Sequence, residues 1–457
     1  MRLSEIDGTL REIRVTPIKT LGQNFLHDGN LARWIVEKLE LGGDDYAVEI
    51  GPGLGALTTL ALQSGAKVLA IEKDARLADF LRKRFTSPHL EVLHADALDF
   101  DLRTLFAQPL VKCFGNLPYY VSSQLLMKFI EEPSPISLWV FMLQKEMARR
   151  LSAKPGASDY GALTLLVQSR YRVDYLRTIP STVFLPKPEV DSALVRLTPK
   201  PANDDPNYNR EVFTGLVRIG FSQRRKQLQK LLRAEIPDWA EVAHTIGIEP
   251  KARAEELSLA QWIELANSVR PPDVLDAGKT ASERFPVVDV HDRVLRVAPR
   301  RQVHGDNLRH RAVHILIFNK AGEVFLQKRS RGKDRHPLLW DSSTAGHVDA
   351  GEEYDEAAHR ELREELGISA NLERVVKLEA SERTGQEFIW LYRAVHEGPF
   401  CLAPAEIDYG AFFPADLVTD WIRARPEEFA PGFIECWRHY LQQLDDNPGP
   451  TGAPTGA

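Results

Sequence analysis

Cysteine is scarce in this chain. The three residues, Cys113, Cys401 and Cys436, lie too far apart for a disulfide framework or a zinc-ligand spacing, so neither device staples the fold. No apolar run is long enough to span a bilayer, and residues 1–15 carry acids where a secretory leader has an apolar stretch. A cytoplasmic protein with no membrane partner is therefore expected. A surplus of basic charge is missing too. With 58 Lys and Arg against 64 Asp and Glu the formal net charge is -6, which excludes a wholly basic nucleic-acid binder and confines such contact to local patches. What remains is an ordinary globular composition, 43% hydrophobic and 27% charged, at a length that suggests about three domains.

The first two-thirds is organised around FGNLPYY (114–120). The apolar lead-in Leu110, Val111, Cys113 and Phe114 predicts a buried strand that Gly115 and Pro118 end abruptly. Asn116 and Tyr119 then sit at a strand's C-terminal edge, where open α/β sheets bind ligands. Asn-Leu-Pro-Tyr suits alkylation of an exocyclic amine on a nucleobase, whose lone pair is delocalised into the ring. The Asn116 side-chain oxygen and the Leu117 carbonyl can accept its N–H bonds while Tyr119 stacks on the base, with no general base or metal needed. Standing alone, the motif describes a strand-end turn with a packed Tyr equally well.

Upstream residues decide between the two. YAVEIGPGLGALTTLAL (46–62) predicts a strand over 47–50, a turn through Gly51, Gly53 and Gly55, and a helix from near Ala56. The G-x-G-x-G spacing is not the dinucleotide G-x-G-x-x-G form. It suits a ligand without a pyrophosphate, whose amino-acid and ribose parts approach the backbone closely. KVLAIEKD (67–74) ends in Glu72, placed to grip ribose hydroxyls, and LEVLHADAL (90–98) ends in Asp96, placed to accept from an adenine amine. Four successive strand ends, each with a polar residue, predict an S-adenosylmethionine site.

Beyond it, 135–151 predicts a buried strand running into a helix near Gln144, and VFLPKPEVDSALVRL (183–197) a proline-rich turn feeding a strand. Phe184 is placed to form the second half of an aromatic sandwich with Tyr119, or else to fill the core. After a polar break at 200–208 the pattern turns helical over 210–269. There FSQRRKQLQKLLR (221–233) buries Phe221, Leu228, Leu231 and Leu232 and exposes Arg224, Arg225, Lys226 and Lys230, a face that suits phosphates or simply solvent.

These motifs carry a resemblance. LGQNFL (21–26), EIGPGLGALT (49–58), IEKD (71–74), DAL (96–98), FGNLPY (114–119), FMLQKE (141–146), PKPEVDSA (186–193) and FSQRRK (221–226) occur in the order found in the small-subunit ribosomal RNA adenine N6-dimethyltransferase family, over about residues 15–270. The resemblance implies a Rossmann-like methyltransferase sheet with a small helical subdomain. It also implies double methylation of two neighbouring adenosines in small-subunit rRNA of the pre-30S particle. Donor contacts would come from Gln23, Asn24, Leu26, Gly51, Gly53, Glu72, Asp96 and Asn116, and target-base contacts from Asn116, Leu117, Tyr119 and Phe184. Asn rather than Asp at 116 fits a neutral pocket that retains a monomethylated amine. A DNA adenine methyltransferase would be expected to carry a larger recognition region, and a non-catalytic binder on this fold to have lost Glu72 or Asp96.

After a linker-like stretch, RPPDVLDAGKTAS (270–282), the chain begins again. A helix predicted over 354–366 puts Glu361, Glu364 and Glu365 on one face, where their mutual repulsion invites Mg²⁺ or Mn²⁺. Gly346, Glu352, Arg360, Glu361, Glu364, Glu365, Gly367 and Ile368 fill the whole G-x5-E-x7-R-E-U-x-E-E-x-G-U pattern of the Nudix box, U being bulky aliphatic. That resemblance implies an α/β/α fold that hydrolyses a small-molecule diphosphate through bound metal, with Arg360 orienting a glutamate and Glu361 in the catalytic centre. Glu406 is a further candidate ligand or base. Residues 307–319 and 333–352 also resemble type I isopentenyl diphosphate isomerase, with His304, His310 and His347 near its metal-binding histidines, but 342–346 lack its cysteine. The expected boundaries are a methyltransferase domain at 1–200, an RNA-binding helical subdomain at 205–270, a linker at 271–284, a Nudix domain at 285–445 and a disordered tail at 446–457.

Overall fold

The computed structural model describes residues 3–17, 23–118, 120–130, 133–201, 208–270 and 283–446. Tyr119, nearly all of the expected linker and nearly all of the expected tail lie outside them. The chain divides into two compact units, Met1–Pro271 and Pro272–Ala457.

The first unit is built on seven strands: β1 (Tyr46–Ile50), β2 (Lys67–Glu72), β3 (Leu90–His94), β4 (Val111–Asn116), β5 (Ile136–Gln144), β6 (Tyr171–Ile179) and β7 (Ser192–Pro199), ordered β3-β2-β1-β4-β5-β7-β6. β1 to β5 pair in parallel, and β7 lies between β5 and the edge strand β6, antiparallel to both. Central strands covered on both faces must be apolar throughout, which is why Ala47, Val48 and Ile50, and Val111, Cys113 and Phe114, are all buried. Preceding the sheet are α1 (Leu3–Glu12) and α2 (Gly29–Glu37). The Asp28 carboxylate caps α2 by accepting from the Asn30 and Leu31 N–H groups at 3.0 Å each. Between strands run α3 (Thr58–Gln63), two residues later than expected, α4 (Ala75–Arg84), α5 (Ser122–Ile130), α6 (Lys145–Ser152) and α7 (Ala162–Gln168). A two-residue pairing of Phe25–Leu26 with Phe184–Leu185 runs antiparallel beside them.

At the centre of the sheet β1 and β4 come unusually close. A Cβ built on Gly115 would lie 2.3 Å from the Ile50 carbonyl oxygen, so no other residue fits there.

The helical part of this unit comprises α8 (Arg210–Gly220), α9 (Leu228–Leu231), α10 (Trp239–Ile246) and α11 (Leu259–Val269), packed on Phe213, Trp239 and Trp262 together with Tyr160 and Leu165. Residues 221–233 do not form the single amphipathic helix expected. Gly220 ends α8 against Trp262, Phe221 stacks on that indole at 5.8 Å, and Gln227 pairs as an extended residue with Arg253. Leu228 and Leu232 are buried as expected, but on a short turn of helix.

In the second unit β8 (Arg284–Val288) and β9 (Val294–Pro299) form a ribbon, so Arg284, expected as linker, is already strand; α12 (Arg300–Gly305) follows. The main sheet contains β10 (His310–Phe318), β11 (Glu323–Arg329), β12 (Trp340–Asp341), β13 (Thr344–His347), β14 (Glu373–Leu378), β15 (Glu387–Val395) and β16 (Ile407–Pro414). Its path is β12-β11-β10-β15-β14, with β13 also on β10 and β16 also on β11. Val313, Ile315 and Ile317 pack under α13 (Tyr354–Leu366), and the alternate residues face the helices at Ala415–Ala424 and Pro431–Asp446, an α/β/α arrangement. Cys113 and Cys436 are buried and Cys401 is exposed.

Replacing Gly115 by Ala should destabilise the first unit by roughly 3 kcal/mol, because backbone must move to admit the methyl group. Thermal or urea unfolding of the variant checks this; parent-like stability would mean that β1 and β4 do not approach as described.

Candidate active sites

At the C-terminal ends of β1, β2 and β4, where the strand order reverses, lies a cavity of about 1050 Å³ including its open mouth. Gln23, Asn24, Leu26, Gly51, Gly53, Glu72, Asp96 and Asn116 all line it, as do Ile6, Lys73 and Tyr120. Gly51 and Gly53 adopt φ of +67° and +60°, a left-handed backbone open to glycine at little cost, and Gly53 lets the loop rest on the Phe25 ring.

Each carboxylate of the cavity is oriented. Glu72 accepts from the N–H groups of Gly53 (3.1 Å) and Asp74 (2.9 Å). Burial nevertheless raises its pKa above the usual range. Asp96 accepts from the Leu98 N–H at 3.0 Å and the Lys73 ammonium at 2.7 Å. Burial pushes this carboxyl up, but those two donors outweigh it and hold Asp96 low and ionised. Beneath the loop Glu49 is fully enclosed, receives the Thr58 hydroxyl at 2.5 Å, and is pushed up to about 8 by burial.

The Asn116 amide donates to the Asn24 carbonyl at 2.9 Å, so its NH₂ end is committed and its Oδ1 is the end left to accept. Leu117 is anchored by its N–H to the Met142 carbonyl at 3.1 Å. The set fits S-adenosylmethionine: a glycine loop in left-handed backbone, two oriented carboxylates for ribose and adenine, and an amide at the end of the cavity.

Two expected residues stand elsewhere. Phe184 is 2% exposed and belongs to the core with Leu26, Val140 and Met142; pairing of its strand with Phe25–Leu26 turns the ring inward, so it does not line the cavity. The Arg224 guanidinium donates to the carbonyls of Ser158 (2.7 Å) and Tyr160 (2.9 Å), because the turn that replaces the expected helix aims it back at the preceding loop. Arg225, Lys226 and Lys230 are exposed. Lys73 and Ile6 were missed from sequence. The signal for Lys73 was adjacency to Glu72, and for Ile6 the helical spacing of Ile6 and Leu10.

In the second unit Arg360 is the hub. Its guanidinium grips Glu352 through two bonds of 3.0 Å, donates to Glu361 at 2.7 Å and to the His347 carbonyl at 2.9 Å, and lies 3.5 Å from Glu364. Glu361 lies so close to Gly346 that a Cβ there would overlap its carboxylate at 2.0 Å. Burial first, then the charge of Glu365, raises Glu361 to about 7. Glu365 accepts from Thr344 at 2.5 Å and Gln327 at 3.3 Å, whereas Glu364 is 46% exposed. The three glutamates thus share one side of α13, two buried and one at its rim. Glu406 is paired with the Lys333 ammonium, which also lies 3.9 Å from Glu365. Two buried carboxylates on one helix face, with a third at the rim, are a donor set that a hard divalent cation fits.

Beside them, His304, His310 and His347 bring one nitrogen each within 4.8 Å of one another, the one such set among the described residues. His310 bonds through Nδ1 to the Leu308 carbonyl at 2.8 Å; its buried Nε2 lies 3.5 Å from Glu387, and His304 Nδ1 lies 3.5 Å from Asp334, both at the outer limit of a hydrogen bond. The Nε2 atoms of His304 and His347 are 3.3 Å apart, and Glu387 lies 3.3 Å from His347. Burial lowers His347 to about 3, leaving neutral imidazole, while Glu387 is held well below its ordinary value by the two histidines against the effect of burial. Three imidazoles and one carboxylate suit a transition metal.

Glu49 yields a pH prediction. Its folded-state value lies above the 4.5 of an exposed carboxyl, so the fold favours the protonated form. Its contribution is fully present below the lower value and lost as the pH rises through the higher one. Glu49→Gln should flatten the fall in unfolding temperature of the first unit between about pH 5 and about pH 8. An unchanged slope would assign the titration to another group.

Comparison with known proteins matches a family to each unit. The family model for ribosomal RNA adenine dimethylase matches residues 17–270 and that for the NUDIX domain residues 308–433. The ribosomal RNA small subunit methyltransferase A of Geobacillus thermodenitrificans is 40% identical over 266 residues, spanning 55% of this chain and 91% of the relative. Among solved structures, a dimethyladenosine transferase from Plasmodium falciparum is 26% identical with a TM-score of 0.47, covering 53% of this chain and 95% of that one. A Deinococcus radiodurans protein is 25% identical with a TM-score of 0.31, covering 34% and 98%. Over more than half its length, the chain belongs to the ribosomal RNA adenine dimethylase family, and it carries a NUDIX domain behind that segment.

Proposed function

We propose that the first unit dimethylates the N6 amines of two adjacent adenosines in small-subunit rRNA, in a cytoplasmic pre-30S particle, with S-adenosylmethionine as donor. The committed amide of Asn116 carries this reading. With its NH₂ donating to Asn24, Oδ1 accepts an N–H of the target amine and draws its lone pair out of the ring, and the Leu117 carbonyl accepts the other. Glu72 and Asp96 hold ribose and adenine through the orientations already set by Gly53, Asp74 and Leu98. The donor supplies an electrophilic methyl group. Since Asn116 is neutral, a monomethylated amine remains acceptable. Tyr119 is the stacking residue on family grounds, and exposed Arg225, Lys226 and Lys230 of the 205–270 subdomain serve the phosphates. That the curated relatives are named for ribosomal RNA methylation, at 40% identity across 91% of their length, supports the substrate.

For the second unit we infer metal-dependent hydrolysis of a soluble diphosphate. Glu361 and Glu365, with Glu364 at the rim, would hold Mg²⁺ or Mn²⁺, which when bound would supply screening of phosphate charge and activation of water. Arg360 keeps Glu352 and Glu361 in place. The histidine set with Glu387 favours a second reading, isomerisation of a prenyl diphosphate at a histidine-held metal. Against it, residues 342–346 offer no thiol.

Asn116→Ala should lower methylation of undermethylated small subunits at least ~100-fold, a larger factor than its loss of S-adenosylhomocysteine affinity. Undiminished turnover would remove Asn116 from the chemistry. Glu365→Gln should cost on the order of 100-fold in phosphate release from a nucleoside diphosphate panel with Mg²⁺, against little change for the exposed Glu356→Gln. Interconversion of isopentenyl and dimethylallyl diphosphate without phosphate release would favour the second reading.

A further inference from the structure

The matched family segment begins at residue 17, yet a residue before it lines the cavity. Ile6, at 1% exposure, and Leu10 form the inner face of α1, and Val15 continues it. All three pack in one cluster with Phe25, Leu54 and Leu77. Those three partners are themselves cavity wall: Phe25 underlies Gly53, Leu54 is the middle of the glycine loop, and Leu77 lies in the first turn of α4, just past Glu72 and Asp74. The far end of α1 is tied to the same helix. The chain turns at Arg14 through φ of +55°, and the Arg14 carbonyl accepts from the Arg76 guanidinium at 2.8 Å.

A ten-residue helix with a glycine at its middle does not hold its shape alone in water. The helicity of α1 therefore depends on docking against the glycine loop and α4. We propose that α1 is a part of the donor site: Ile6 is a contact for the bound donor, and docking of α1 and donor binding strengthen each other by the same factor, as linkage between two events on one surface requires. The proposal rests on the reading of this cavity as the donor site. A donor that touches Ile6, Leu54 and Phe25 steadies the wall α1 leans on, and a docked α1 closes one side of the cavity to water.

The test measures S-adenosylhomocysteine binding calorimetrically with the full-length chain as parent, Ile6→Ser, Leu10→Glu, the milder Leu10→Ala, and Glu72→Ala. Leu10 does not line the cavity, so its substitution acts through docking alone. Leu10→Glu and Ile6→Ser are expected to weaken binding at least tenfold and Leu10→Ala severalfold. S-adenosylhomocysteine is expected to slow tryptic cleavage after Arg11 and Arg14 in the parent and not in Leu10→Glu. Binding within twofold of the parent in both Leu10 variants, or cleavage indifferent to S-adenosylhomocysteine in the parent, overturns the role of α1. If Glu72→Ala also binds like the parent, the donor-site reading fails with it; if Glu72→Ala loses binding while the Leu10 variants keep it, only the role of α1 falls.

Discussion

Two parallel strands meet at the middle of the first sheet with no room for a side chain, and the methyltransferase site follows from that contact. Gly115 lets β4 lie against the Ile50 carbonyl, which sets Asn116 level with the end of β1 and hence with the glycine loop. β2 is in register with β1 on the other side, so Glu72 arrives at the same height. The second unit uses the same device differently: Gly346 yields its side-chain space to the Glu361 carboxylate. In each unit a glycine is defined by what occupies the place of its missing Cβ, backbone in one case and a buried acid in the other.

Charge is handled differently in the two sites. Around the first cavity every carboxylate has its own donors, from backbone for Glu72, from backbone and Lys73 for Asp96, and from the Thr58 hydroxyl for Glu49. In the second, one guanidinium serves Glu352 and Glu361 and approaches Glu364, and Glu361 stays raised because burial, with the charge of Glu365 added, outweighs what Arg360 offsets. The first site orients its acids one by one, whereas the second gathers several acids around a single cation and so leaves surplus negative charge.

Much of this was legible in the sequence, wherever the pattern was local. The α13 helix runs over Tyr354–Leu366 as its periodicity predicts, because its apolar stripe and its Gly367 stop lie within one stretch. The strand ends that place Glu72, Asp96 and Asn116 are legible for the same reason, each being an apolar run closed by a polar residue. What escaped depends on contacts distant in the chain. Residues 221–233 have a helix's periodicity, but Trp262 and Arg253 lie some thirty residues on and break it into a turn. Phe184 faces inward because of Phe25–Leu26, on the other side of the domain in sequence. The histidines come from α12, β10 and β13, with spacings that form no local signature; resemblance drew attention to them where pattern could not.

The burial of two of the three cysteines makes the chain chemically lopsided. The Cys113 thiol inside β4 and the Cys436 thiol in Pro431–Asp446 are both pushed well above the ordinary thiol value by enclosure, so neither presents thiolate to a reagent. Cys401 stands exposed. A fluorophore or spin label carried on a maleimide therefore addresses the folded protein at one position, in the unit with the NUDIX domain, and leaves the first unit unmarked without any cysteine having to be engineered away.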